Sequence, residues 1–207
     1  MRHTRAESEL TRARVLDAAL EAFANGGVRS TTLEDVAALA GVTRGAVYWH
    51  FEDKAALVAE VVAGLQWPLD IGADMAAYQA HPQPLRLLRE QLWQRMERCM
   101  RDPAQWRAVQ LVLRHGERSE LPADATARVE RAIVETVARL GRVMTIAYHR
   151  HQLRPGLRPV SVARCLHAVG VGVLSEHASQ WVKGESKASP LCLDLFMVGA
   201  CVDSLSP

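Results

Sequence analysis

Apolar residues recur at helical spacing along almost the whole chain. Val15, Leu16, Ala18, Ala19, Leu20, Ala22 and Phe23 make one wide face. That pattern predicts a helix from about Glu7 to Asn25, stopped by Gly26-Gly27. Leu33, Val36, Ala37 and Ala40 then fall at i, i+3, i+4 and i+7 of a second, shorter helix. Two starts have capping-box spacing, Thr31 with Glu34 and Thr32 with Asp35. Gly41 stands where this helix must end in left-handed backbone, and Thr43 can cap a third one. In the third, Val47 and Phe51 face the second helix, while Gly45, Ala46, Tyr48 and Trp49 point away. So short a helix, with two aromatics on its outer face, calls for an outside partner. A helix-turn-helix offers such a helix to the DNA major groove.

The pattern continues to the C-terminus. Asp53 starts a fourth helix with Leu57, Val58, Val61, Val62 and Leu65 inward, ending at Trp67-Pro68, which is the expected domain boundary. Lys54 falls in its first turn, where a cation opposes the helix dipole; it is either simply exposed or meets an outside anion such as a phosphate. The organisation expected is residues 1–53 as a DNA-binding domain, 54–67 as a connecting helix and 68–207 as a larger domain. Asp70 to Gln83 is poorly patterned. Leu85, Leu88, Leu92, Met96 and Cys99 form the next stripe, and Pro103 separates it from a helix carrying Trp106, Val109, Gln110, Val112 and Leu113. Asp124 to about His151 is long and amphipathic, and Pro155, Gly156 and Pro159 break it.

The last two helices have more apolar surface than one core accepts. Ser161–Lys183 interleaves Gly170 and Gly172 among Val162, Leu166, Val169 and Val173. A mid-helix glycine costs about 1 kcal/mol against alanine, so close approach of a backbone or ligand is expected there. From Pro190 on, Leu191, Leu195, Val198, Val202 and Leu205 step by 4, 3, 4 and 3, a heptad seam. With Val169 and Val173 they form the expected homodimer interface, a four-helix bundle across a two-fold axis. Packing within one chain is the alternative.

Composition changes this picture little. Of 207 residues, 49% are hydrophobic and 23% charged, a globular balance with an ample core. The N-terminus has no apolar signal core and no run of about 18 apolar residues exists, so a cytoplasmic protein without a membrane span is expected. Charge argues against the DNA reading: residues 1–54 hold seven Lys/Arg and eight Asp/Glu, a formal −1, where a nucleic-acid module is usually basic. Arrangement alone supports it. Cys99, Cys165, Cys192 and Cys201 form no C-x-x-C and are expected to be reduced core residues. His149 and His151 would diverge by about 200° on a helix, so no metal site is expected. No catalytic or cofactor motif is present, and His115 with Glu117 and Glu120 reads as a solvated charge run rather than an acid–base pair. On the outer face, Tyr48 can donate to a phosphate and Arg44 can reach a phosphate or a guanine edge. His50 is either a lateral phosphate contact or a packing residue. Spacing leaves open whether Trp49 touches the DNA backbone or packs on the fourth helix.

Residues about 10–58, above all A-G-V-T-R-G-A-V-Y-W-H-F at Ala40–Phe51 and the following Lys54, resemble the DNA-binding domain of TetR-family transcriptional regulators. The Thr43–Phe51 version is similar to the (AcrR-like) branch that contains repressors of multidrug efflux pumps. The resemblance implies an all-α homodimer of about nine helices on a palindromic operator. Three helices would form the helix-turn-helix domain, and the larger helical domain would bind an effector and dimerise. It implies that Thr32, Thr43, Tyr48, His50 and Lys54 contact phosphates, while Arg44, Gly45 and Ala46 face bases. An effector pocket is implied in the larger domain. Residues whose stripes fit it are Leu92, Trp93, Met96, Gln110, Leu113, Arg114, Val137, Leu140, His167, Val171 and Leu174. Gln110 and His167 stand out as polar residues in apolar stripes. The function expected is a repressor of an efflux system, released by a small, mostly hydrophobic effector and needing no cofactor. A ligand-blind regulator or activator is the alternative, and a helical enzyme or carrier the remote one.

Overall fold

A computed structural model describes residues 5–114, 121–181 and 189–202, with the side chains of all but Gln180 and Trp181. The described residues form ten α-helices and no strand: α1 (Arg5–Gly26), α2 (Leu33–Ala40), α3 (Arg44–His50), α4 (Lys54–Ala63), α5 (Ala76–Ala80), α6 (Pro84–Arg101), α7 (Pro103–Leu113), α8 (Ala123–His149), α9 (Pro159–Trp181) and α10 (Leu191–Ala200). The fold is all-α, with one helix more than expected. That helix, α5, lies in the poorly patterned stretch after Asp70 and is too short to show a period. It is held through Tyr78, whose buried hydroxyl donates to Gln91 Oε1 of α6 at 2.6 Å.

Packing divides the chain into two units. The first draws on the described residues up to Gln66 and on Asp102–Glu130; the second draws on Trp67–Arg101 and the described residues from Arg131 onward. A single cut at residue 67 does not describe this, because α7, with Trp106, Val109 and Val112 buried, packs on α1. Asp102 starts α7 by accepting from the Ala104 and Gln105 amides at 3.0 and 3.2 Å, with Pro103 in the first turn where its missing N–H is harmless.

In the first unit α1 is the hub, touching α2, α3, α4 and α7. Val15, Ala19, Phe23, Val36, Val47, Phe51, Leu57 and Val58 make the core. Helix α4 is shorter than its pattern suggests. It stops at Ala63 with Gly64 as cap, whose N–H reaches the Glu60 and Val62 carbonyls, so Trp67-Pro68 does not end it. The residue before a proline resists helical backbone, and Trp67, Pro68 and Leu69 are instead buried in the second unit.

In the second unit the α6 stripe Leu85, Leu88, Leu92, Met96 and Cys99 is buried as spaced. Arg89 of α6 pairs with Asp194 of α10 at 2.6 Å. Helix α8 ends at His149, sooner than the prolines that were expected to break it, and His151 takes left-handed backbone at φ 56°. Helix α10 also ends early, at Ala200. The following Cys201 bridges Leu153, with Val202 N–H donating to the Gln152 carbonyl and Arg154 N–H to the Ala200 carbonyl, each at 3.0 Å. Val202 therefore leaves the helical seam, and Leu205 lies outside the described residues, as do His115, Glu117 and Glu120. Of the cysteines, Cys99 and Cys201 are buried, but Cys165 and Cys192 are exposed. Close approach at the α9 glycines holds for Gly170 alone: a Cβ there would meet Leu69 Cδ2 at 2.6 Å, whereas one on Gly172 would meet nothing within 4 Å. The neighbour is a leucine side chain, not a backbone or ligand.

Candidate nucleic-acid interface and effector site

The helix-turn-helix is built by three caps. Thr32 takes the cap of α2, deciding between the two starts: its Oγ1 accepts from Asp35 N–H at 3.1 Å, and Asp35 Oδ2 accepts from the Thr32 amide at 2.9 Å. That amide bond, and then the Thr32 hydroxyl donating to the same Oδ2 at 2.8 Å, hold the Asp35 carboxyl below its ordinary pKa. Gly41 ends α2 at φ 63°, in left-handed backbone. Arg14 of α1 closes over this end, its Nη2 donating to the Ala40 carbonyl at 2.6 Å. Thr43 then caps α3 through Ala46 N–H at 3.2 Å.

Helix α3 is anchored by Val47 and, just beyond its end, by Phe51, both buried. Arg12 lies over the Phe51 ring at 5.5 Å and pairs with Glu60 of α4. The opposite face is open: Gly45 is exposed, Ala46 half-buried, Tyr48 44% exposed and Trp49 82% exposed. Trp49 thus projects outward instead of packing on α4. Arg44 does not reach out freely. Its Nη1 lies 2.7 Å from Glu34 Oε1, its Nη2 3.2 Å from the Tyr48 hydroxyl, and its guanidinium 5.2 Å over the Tyr48 ring. The Tyr48 hydrogen bond, then Glu34, raise its pKa. His50 is half-buried and tilted on Phe51; burial, then the Arg12 cation, lower its pKa.

Lys54 resolves its clash with the α4 dipole internally. Its Nζ donates to the carbonyls of Val28, Arg29 and Thr31 at 2.9, 3.1 and 3.0 Å. All three ammonium protons are used, so Lys54 fastens the α1–α2 loop to α4. It is neither simply exposed nor free for an outside anion.

The candidate effector residues fall in both units. Leu92, Met96, Leu140 and Leu174 are buried in the second, with Trp93, Val137, His167 and Val171 half-buried there. Gln110 and Leu113, half-buried, and Arg114, exposed, belong to the first. Burial lowers the His167 pKa and favours the neutral imidazole. Of the candidate dimer residues, Leu191, Leu195, Val198 and Val202 are 57, 64, 46 and 50% exposed, Val169 is half-buried and Val173 buried.

Residues 15–61 match the family described as bacterial regulatory proteins, tetR family. The transcriptional repressor BepR of Brucella suis biovar 1 (strain 1330) is 30% identical over 185 residues, 89% of this chain and 87% of BepR. The chain belongs to the TetR family. It is a transcriptional regulator, not an enzyme. AcrR of Shigella flexneri is 46% identical over 94 residues, 43% of this chain and 41% of AcrR. Among solved structures, the SmeT–triclosan complex superposes with a TM-score of 0.74 at 28% identity, covering 96% of this chain and 95% of SmeT; SmeT represses the SmeDEF multidrug efflux pump of Stenotrophomonas maltophilia. NalD, secondary repressor of the MexAB-OprM pump of Pseudomonas aeruginosa, superposes with a TM-score of 0.66 at 26% identity, covering 95% and 99%. Among the described residues no helix is long and apolar enough to cross a membrane.

Several residues at these sites escaped the sequence pattern. Glu34 was visible only as a helix-start acid, and Arg12 and Arg14 only as N-terminal charge.

Proposed function

We propose that this TetR-family regulator is a homodimeric repressor that binds a palindromic operator, leaves it when a small, mostly hydrophobic effector binds, and controls an efflux system. The observation that carries the proposal is the outward face of α3. Gly45 and Ala46 allow close backbone approach, and Tyr48 and Trp49 stand exposed on a helix whose other face is locked by Val47 and Phe51. Thr32, Thr43, Tyr48 and His50 flank that face for phosphates, with Arg44, Gly45 and Ala46 toward the bases; Lys54 acts by fixing the loop before α2.

The exposed apolar strip Leu191–Leu195–Val198 on α10 supports a two-fold pairing. Pairing matters because two recognition helices must sit roughly 34–36 Å apart, or a multiple, to meet successive major grooves. An effector shifts the DNA equilibrium only by its differential affinity for the states with and without that separation. SmeT and NalD support the efflux reading by likeness, and BepR the repressor reading.

A gel shift with the DNA upstream of the protein's own gene tests this. Retardation that Tyr48→Ala weakens, and that triclosan or another hydrophobic drug reverses, is expected. Undiminished binding by the alanine variant would remove Tyr48 from the interface. A shift that no drug in a broad hydrophobic panel reverses would favour the ligand-blind alternative.

A further inference from the structure

Among the described residues of the second unit, Trp67 Nε1, Thr136 Oγ1 and His167 Nε2 are buried without a hydrogen-bond partner. Thr136 is 0% exposed and Trp67 8%. Native proteins seldom leave such groups unsatisfied.

The three belong to one neighbourhood. The Trp67 and His167 rings lie 6.2 Å apart, tilted by 32°. Trp67 opens a tight turn that closes where Asp70 N–H meets the Trp67 carbonyl at 3.0 Å. That turn is tied to two helices. Asp70 accepts from Arg139 of α8, and Leu69 presses on Gly170 of α9. Thr136 precedes Arg139 by three residues and His167 precedes Gly170 by three, so each lies on the helix face that meets the turn.

The surroundings define the ligand chemistry. Leu69, Leu140, Leu166 and Leu174 are fully buried. The Asp70 carboxylate is already paired with Arg139, which also holds Glu135 at 3.0 Å, so a cationic ligand gains no ready counter-charge from Asp70. Trp67 only donates, Thr136 both donates and accepts, and a neutral imidazole nitrogen does one or the other according to its tautomer. A hydroxyl, which donates once and accepts up to twice, can meet all three of these atoms in either tautomer of His167, whereas a group that only accepts leaves His167 Nε2 unmet whenever that nitrogen is the acceptor.

We propose that Trp67, Thr136 and His167 form the polar anchor of the effector site, selecting an uncharged molecule that carries a hydroxyl on an otherwise apolar body. This rests on the effector-binding function proposed above. The apolar walls contribute affinity for many hydrophobic molecules, and the anchor discriminates among them.

The full-length protein is titrated calorimetrically with triclosan and with its methyl ether, in buffer acidic enough to keep the phenol protonated. Triclosan is expected to bind at least about tenfold more tightly, or about 1.4 kcal/mol. In Trp67→Phe and His167→Phe the preference should collapse toward equality through weaker triclosan binding, with ether affinity retained. Thr136→Val, which keeps the side-chain shape, reports in the same way where an aromatic substitution fails to fold. Equal binding of both probes by the unaltered protein would overturn the anchor and leave the effector site standing. So would silence with both probes while hydroxyl-free hydrophobic dyes still bind. No binding by probes or dyes removes the effector site itself.

Discussion

The guanidinium of Arg44, at the start of α3, is held 2.7 Å from the carboxylate of Glu34 in the first turn of α2. To contact a phosphate or a guanine edge, Arg44 must exchange that carboxylate for DNA. Glu34→Gln removes both the competing partner and a negative charge beside the α3 face. Operator affinity is expected to rise a few-fold in anisotropy titrations. The urea midpoint should barely move, since exposed ion pairs contribute only about 0–1 kcal/mol. A loss of affinity would mean that Glu34 aligns Arg44 for DNA instead of restraining it.

Lys54 has the opposite character, holding structure and not a ligand. Lys54→Met leaves the carbonyls of Val28, Arg29 and Thr31 without the donor they share. Hydrogen bonds to a charged group contribute about 1.5–3 kcal/mol, and a stability loss of about that size is expected in urea denaturation. An unchanged midpoint would show that the ammonium is dispensable to the loop.

Charge on the apolar strip of α10 should separate the protomers. Val198 is 46% exposed in the single chain, so Val198→Glu leaves the monomer fold intact while burying a carboxylate in a dimer. Sedimentation is expected to show monomers, with operator binding sharply weakened. A persistent dimer would move the interface elsewhere.

Acid should destabilise the fold through its histidines. Burial holds the pKa of His50, His167 and His177 below the ordinary 6.5, with the Arg12 cation adding to the effect at His50. Below pH 6.5 the unfolded chain takes up protons that the folded one refuses. Stability therefore falls as the pH drops through 6.5, and this contribution levels off beneath the folded pKa values. The urea midpoint should be lower at about pH 5.5 than at about pH 7.5, and His167→Phe should flatten that slope. An equal slope in the variant would place the acid sensitivity elsewhere.

The elements legible beforehand were those whose signal is local. Leu33, Val36, Ala37 and Ala40 share a face by spacing alone, and Thr43, Gly41 and Val47 each act within a few residues of their position. Helix ends were less legible. Gly64 stops α4 and Ala200 ends α10 because the chain beyond has better partners: Trp67 and Leu69 enter a core, and Cys201 bridges Leu153. Helix α5 escaped because five residues cannot display a period, and only Tyr78 reaching Gln91 gives it a place.

By itself the sequence determined an all-α chain, the helix-turn-helix with its outward Tyr48 and Trp49, and the family, because caps, a left-handed glycine and 3.6-residue spacing are properties of neighbouring residues. Tertiary structure alone decided what long side chains do at a distance. It turned Lys54 inward onto a loop 23 to 26 residues away, tied Arg44 to Glu34, brought Trp67 beside His167, and left Cys165 and Cys192 bare. Such pairings depend on which surfaces meet after the helices pack. Spacing along one helix carries no information about the atoms that another segment brings to it.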